Sequence, residues 1–186
     1  MSKFNTFLLS SSSTISLWVL FLTTHVVLAI MLGYTFPILN NTAGGKVFDL
    51  RTFGYSLEEA QTILGNLDQQ AIDLYIFPQL LVLDVLYPIL LALFLSSLLF
   101  RLTRSIKFRS RLLPLLLLLP FLAMVFDYLE NACILLMITE TLEPSAWGVS
   151  LSSFFTLSKS ILTSVAWISI LVCGIQWIRT KYNPYR

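Results

Sequence analysis

Four long apolar runs order this chain, at Ile15–Phe36, Tyr75–Phe100, Leu112–Ile138 and Ser152–Ile178. Each reaches the roughly 20 residues that a helix needs to cross a bilayer. Helix is the form predicted for all four, because lipid offers no partner to an unpaired backbone group. The fold class expected is therefore all-α. It is a polytopic membrane bundle of four transmembrane helices in a single domain, 1–186, with spans at about 15–36, 75–100, 112–138 and 152–178. The first run is too long for a signal-peptide core and no A-x-A-like site follows it, so it reads as an uncleaved span.

The longest connection, 37–74, has a pattern of its own. Asn40, Asn41, Gly44 and Gly45 mark turns. Ser56-Leu57-Glu58-Glu59 has the spacing of a capping box, in which Ser56 and Glu59 satisfy each other's backbone N–H groups. Leu57, Ala60, Ile63, Leu64 and Leu67 then recur at helical spacing. An amphipathic helix over about Leu57–Leu67 is expected, lying on the membrane surface or capping the bundle. One reading rests its apolar face on lipid. The other makes the connection a lid over a cavity, to which Asp49, Arg51 and Phe53 would add contacts.

Basic residues give the expected orientation. Arg101, Arg104, Lys107, Arg109 and Arg111 crowd the 101–111 loop, and Lys3, Arg179, Lys181 and Arg186 lie near the termini. Only Lys46 and Arg51 fall on the other side, which carries Asp49, Glu58, Glu59, Asp68, Asp73, Glu140 and Glu143. The termini and the basic loop are thus expected in the cytoplasm. Trp18, Phe100 and Trp177 would sit at the inner boundary, and Tyr34, Tyr75 and Trp147 at the outer one. The basic loop is sufficiently explained as a topology signal held to anionic headgroups.

Composition agrees with the pattern. Of 186 residues, 56% are hydrophobic and 12% charged, against about 25% charged in soluble domains. Mean hydropathy is +0.81 and net charge +2. A soluble enzyme, a disordered chain and a nucleic-acid binder are all disfavoured. Cys133 and Cys173 fall near opposite ends of their spans, too far apart for a disulfide, and no thiolate or histidine ligand pattern accompanies them.

The charges inside the spans are the informative feature. Each costs about 2.5–3.5 kcal/mol to insert, so such groups turn toward a bundle interior. Asp84, Asp127, Glu130 and Lys159 are joined by the polar residues His25, Gln79, Tyr87, Asn131 and Thr156. At 1.5 Å rise per residue, Asp84, Asp127, Glu130, Lys159 and His25 all fall roughly 10–16 Å from the outer ends of their helices. All four helices thus supply one polar layer. Asp127, Glu130 and Asn131 share a face at i, i+3, i+4. Ser152, Thr156, Lys159, Ser160 and Thr163 form a polar stripe on the fourth span. Pro88 would displace the carbonyl of Asp84, four residues back, and break the second span there.

Three acids face one lysine. They cannot all stay ionised at close range in low dielectric, so at least one is expected to hold a proton. Lys159 would pair with one acid and His25 with another. Such a layer could bind a small amphipathic or lipid-like molecule, with Asp84, Asp127 and Glu130 as candidate catalytic acids or bases. His25, Gln79, Tyr87, Asn131, Thr156 and Lys159 would be ligand-binding residues. Alternatively the layer only orders the helices of an accessory or assembly subunit, or carries protons or ions. A metal centre is not expected, because Lys159 would repel the ion. No cofactor pattern is present, and whether chemistry follows binding is left open. The partners expected are the bilayer and a small amphipathic ligand, not nucleic acid.

The segments Phe48-Asp49-Leu50-Arg51, Gly54-Tyr55-Ser56-x-Glu58-Glu59-Ala60, Asp84-x-x-Tyr87-Pro88 and Phe126-Asp127-Tyr128-Leu129-Glu130-Asn131 resemble those of uncharacterised four-span microbial membrane proteins. That resemblance implies the four-span architecture and carries no activity. The placing of acids in a small bundle is also loosely similar to sterol-isomerase-like and sigma-2-receptor-like proteins, an analogy of layout alone.

Overall fold

The computed structural model describes residues 3–108, 110–141 and 143–182; Arg109 and Arg186, both counted in the basic bias, lie outside them. The described residues form an all-α bundle. A short helix, α1 (Lys3–Ser11), leads into four helices long and apolar enough to cross a membrane: α2 (Thr14–Ala43), α4 (Gln69–Ser105), α5 (Leu113–Ile138) and α6 (Ala146–Tyr182). Between α2 and α4 lies α3 (Leu57–Asn66). The α5–α6 pair is the most extensively packed, α4 lies against both, and α1 and α2 lean on α4.

Three boundaries lie six or more residues beyond the expected ones, each for a local reason. α2 runs on to Ala43 instead of stopping at Phe36. Pro37 lacks the N–H that would bond the carbonyl of Gly33, and the turn Met31–Thr35 widens into a π-helix before α-geometry resumes at Phe36. Gly44 then ends the helix at φ +72°, with the N–H of Gly45 returning to the carbonyl of Asn40 at 3.0 Å. α4 begins at Gln69, where Asp68 accepts the N–H of Ala71 at 2.8 Å as an N-cap. α6 begins at Ala146, ahead of the apolar run, because Ser145 accepts the N–H of Gly148 at 3.2 Å.

The expected break in the second span is present but elsewhere. α4 departs from helical geometry at Phe77 (φ −138°, ψ 122°), which precedes a cis peptide to Pro78. A residue before proline is pushed toward extended backbone. A widened segment, Tyr75–Leu83, surrounds the break. Asp84–Ser105 is then continuous α-helix, and Pro88 is accommodated within it. The break therefore lies before Asp84, not at Pro88.

α3 caps one end of the bundle. Ser56 accepts the N–H of Glu59 at 3.2 Å, and Glu59 accepts the N–H of Ser56 at 2.8 Å, completing the capping box. Ala60 and Ile63 of α3 are buried in a cluster with Leu39, Phe48, Tyr75, Ile134 and Val149. The apolar face of α3 thus rests on protein, and the lipid-resting reading is set aside. A second cluster, including Leu8, Leu17, Leu95, Leu99, Leu117 and Ile170, fills the opposite, basic end. Two aromatics expected at membrane boundaries belong to these interiors instead: Tyr75 is fully buried and Phe100 nearly so.

Candidate functional site

Between the two apolar clusters lies the polar layer. At its centre is Lys159 of α6. Its ammonium is paired with the carboxylate of Asp127 and lies 2.7 Å from Oε2 of Glu130. Glu130 has no exposed surface, and its Oε1 also accepts the hydroxyl of Thr156 at 2.8 Å. Asp127 and Glu130 are one turn apart on α5, and Thr156 and Lys159 one turn apart on α6. Two neighbouring faces thus meet as a four-residue patch.

A second buried chain runs beside it. The hydroxyl of Thr35 donates to Oε1 of Gln79, and the Gln79 amide donates to Oδ2 of Asp84 at 2.8 Å. All three side chains are buried. The π-turn of α2 presents Thr35, and the break in α4 presents Gln79. The two helix irregularities therefore meet through this hydrogen bond.

The connection between α2 and α3 adds what the spans alone do not predict. In the 3-10 turn Phe48–Leu50, Asp49 accepts the phenolic hydrogen of Tyr75. Asp49 interacts electrostatically with Lys159 and Asp127, and Asp84 with Asp49, Asp127 and Lys159. The layer therefore holds four acids around one lysine. Partial burial and the like charge of Asp127 hold the carboxyl of Asp49 above its ordinary range, against the opposing pull of Lys159 and the Tyr75 hydrogen bond.

Residues 46–56 form a strap across the top of α6. Tyr55 donates its backbone N–H to Ser153 Oγ at 2.8 Å, and Ser153 returns its hydroxyl to the Tyr55 carbonyl at 2.7 Å. The Tyr55 phenol donates to Ser152 Oγ at 2.6 Å, and burial pushes that phenol up. Gly54 makes the close approach possible. Its φ is +82°, and a Cβ there would lie 3.2 Å from the Ser153 side chain. Arg51 steadies the strap through Glu59 and the Lys46 carbonyl.

Under the strap a cleft of about 660 Å³ runs between α4, α5 and α6, within the roughly 300–1,000 Å³ of small-molecule sites. Asp49, Asp127, Lys159 and Tyr87 line its polar end. Its apolar walls include Leu91, Ala92 and Leu95 of α4, Ala123 and Met124 of α5, and Ile161 and Val165 of α6. Pro88, Pro120, Ser160 and Ser164 also line it. Small or ring-closed side chains on three facing helices leave this space open.

The candidate residues thus divide into groups. Asp127, Lys159 and Tyr87 reach the cleft. Glu130 and Thr156 lie behind Lys159, and Asp84 and Gln79 lie on the Thr35 side. Asn131 is buried, with its Oδ1 unpartnered among the described residues. His25 is the clear departure. It pairs with no acid among the described residues. Its Nδ1–H donates to the Phe21 carbonyl at 2.7 Å, and its ring stacks on Phe21 with centroids 4.1 Å apart. Its helix, α2, leans on α4, so its depth matches the layer while its bearing does not. Thr35 is the residue missed as a site member, and Asp49, expected as a contact of the lid, also joins the charged layer. For Thr35 the signal was Pro37 two residues on, and for the α4 break it was Pro78 inside an apolar run.

Among the described residues no group of His, Cys, Asp and Glu is arranged to hold a metal ion. Both cysteines are free. No protein-family model, no curated protein and no solved structure matches the chain.

Proposed function

We propose that this is a multi-pass membrane protein that binds a small amphipathic molecule in the cleft between α4, α5 and α6. The observation that carries this reading is the shape and lining of that cleft. One end carries Asp49, Asp127, Lys159 and Tyr87, and the walls leading away are mostly Leu, Ala, Met, Ile and Val, with Ser160, Thr163 and Ser164 among them. A polar head and a hydrocarbon body would each find a matching surface. Asp127 is the candidate acid or base, because it reaches the cleft and is held in place by Lys159. Glu130 and Asp84 act from behind, by holding Lys159 and the α4 break. The positive-inside bias supports an orientation with the basic end in the cytoplasm and the strap outside.

A second reading, a polar layer that only orders helices, is favoured by the full burial of Glu130 and its bond to Thr156. The two part at the cleft. Ser160→Trp would fill the space from a partly exposed position and replaces no member of the Lys159 pairs. The test is native mass spectrometry of the purified chain and of this variant. The expected result is a small amphiphile retained by the wild type and absent from a folded Ser160→Trp. Equal retention by both would refute binding in the cleft.

A further inference from the structure

The cleft has an inner end, and its depth deepens the amphiphile reading, on which it rests, by naming the kind of tail. Along α4 the lining runs from Tyr87 to Leu95, along α5 from Asp127 to Pro120, and along α6 from Lys159 to Val165. At 1.5 Å rise per residue these stretches are about 9–12 Å long. Three helices thus agree on one floor. Just beyond it the packing closes. Ser96, fully buried, donates its hydroxyl to the Leu117 carbonyl at 2.8 Å and pins α4 to α5. Leu99, Leu117 and Ala166 are buried and belong, with Leu95, to the apolar cluster of the basic end. Above the pin, Ala92 and Ala123 leave the space that larger side chains fill below it. The floor is set by side-chain size on the two sides of a buried hydrogen bond.

We propose that the cleft selects amphiphiles by tail length, taking one unbranched chain of about seven to ten carbons whose end meets Leu95, Pro120 and Val165. With bonds of about 1.5 Å near tetrahedral angles, an extended chain advances about 1.25 Å per carbon, which gives that number over the length of the cleft. A longer chain must bend back or press into a close-packed cluster, and such clusters resist added methylenes. Leu95 and Ala123 are then the residues that set specificity. Leu95 is the stop, and Ala123 keeps the middle of the path open.

The test titrates the full chain in phosphatidylcholine nanodiscs with the straight-chain alcohols from 1-butanol to 1-dodecanol. The series keeps one neutral head, and uptake by empty nanodiscs is subtracted. Measured against free alcohol in water, Kd is expected to fall about fourfold per added carbon while each new methylene is buried. The fall is expected to stop by about ten carbons. Leu95→Ala opens the floor and should carry the fall on by about two carbons. Ala123→Leu, one turn from Asp127, should end it at about five. A wild-type Kd still falling about fourfold per carbon through 1-dodecanol would overturn the length limit and leave the cleft reading standing. That is the result for a tail that turns out past the exposed Ile161 into lipid. A stopping point that is the same in the wild type and both folded variants would also overturn the limit. Absence of saturable binding by every alcohol would overturn the cleft reading with it. The wild-type series alone decides the matter if neither variant folds.

Discussion

Tyr75 donates its phenolic hydrogen to Asp49, and so joins the start of the broken segment of α4 to the strap that covers the cleft. Tyr75 has no exposed surface, so no water can replace the bond on its side. Tyr75→Phe removes the donor and leaves the Asp49 carboxyl without it. The expected loss is about 1–3 kcal/mol of stability. Thermal or denaturant unfolding in a fixed lipid or detergent reads it. A change below a few tenths of a kcal/mol would mean that the bond holds nothing together.

The strap also depends on Gly54, which combines φ +82° with a Cβ position 3.2 Å from Ser153. Gly54→Ala should cost about 1–2 kcal/mol for left-handed backbone alone. Proteolytic nicking within 46–56 should rise with it, while cleavage at the basic end stays constant.

Two carboxyls outside the spans should give opposite pH responses. Asp49 is held above its ordinary value of 3.8 by burial, so its folded form binds a proton more tightly than its unfolded form. Its stabilising contribution is present below the unfolded value and is lost as pH rises through the folded one. The groups facing it are Tyr75, Lys159 and Asp127. Glu59 is held below 4.5 by the Ser56 N–H and by Arg51. Its contribution is present above 4.5 and is lost as pH falls through the lowered value. Asp49→Asn should therefore remove a loss of stability on the alkaline side of 3.8, and Glu59→Gln should remove one on the acid side. Melting temperature against pH for wild type and variants checks both signs.

Glu130 is buried between Thr156 and Lys159. Glu130→Leu leaves Lys159 with Asp127 alone and leaves the Thr156 hydroxyl only the Ser152 carbonyl, 3.1 Å away. Because Asp127 still compensates Lys159, the cost should fall below the about 3–5 kcal/mol of a buried pair broken outright. Glu130→Gln keeps the acceptor for Thr156 and should cost clearly less. A ranking of Gln as no better than Leu in unfolding experiments would mean that the hydrogen bond is irrelevant there.

The architecture was legible because lipid forces backbone hydrogen bonds inside each helix, so long apolar runs mean spans. The capping box was legible because Ser56 and Glu59 carry their partners locally. Depth was legible too, since rise per residue is constant, and it drew Asp84, Asp127, Glu130 and Lys159 together. Bearing was not. His25 matches the layer in height, yet its ring turns to Phe21 and Phe94, because the neighbour of α2 is set by three-dimensional packing. Asp49 was legible as a lid contact, but its place in the charged layer was not, for a related reason. Its place depends on the Gly54–Ser153 approach between segments about a hundred residues apart, which no local pattern announces. The break at Pro78 carries a local signal too, a proline in an apolar run, the same signal as Pro88 beside Asp84.

The most direct measurement is a structure of the full chain from a lipidic phase, without added amphiphile. The account predicts elongated density between α4, α5 and α6. Its head should lie at the end lined by Asp49, Asp127 and Lys159, and its body along Ala92, Ala123 and Val165. Helices packed dry across that space, with Ala92 and Ala123 in contact with α6, would contradict it.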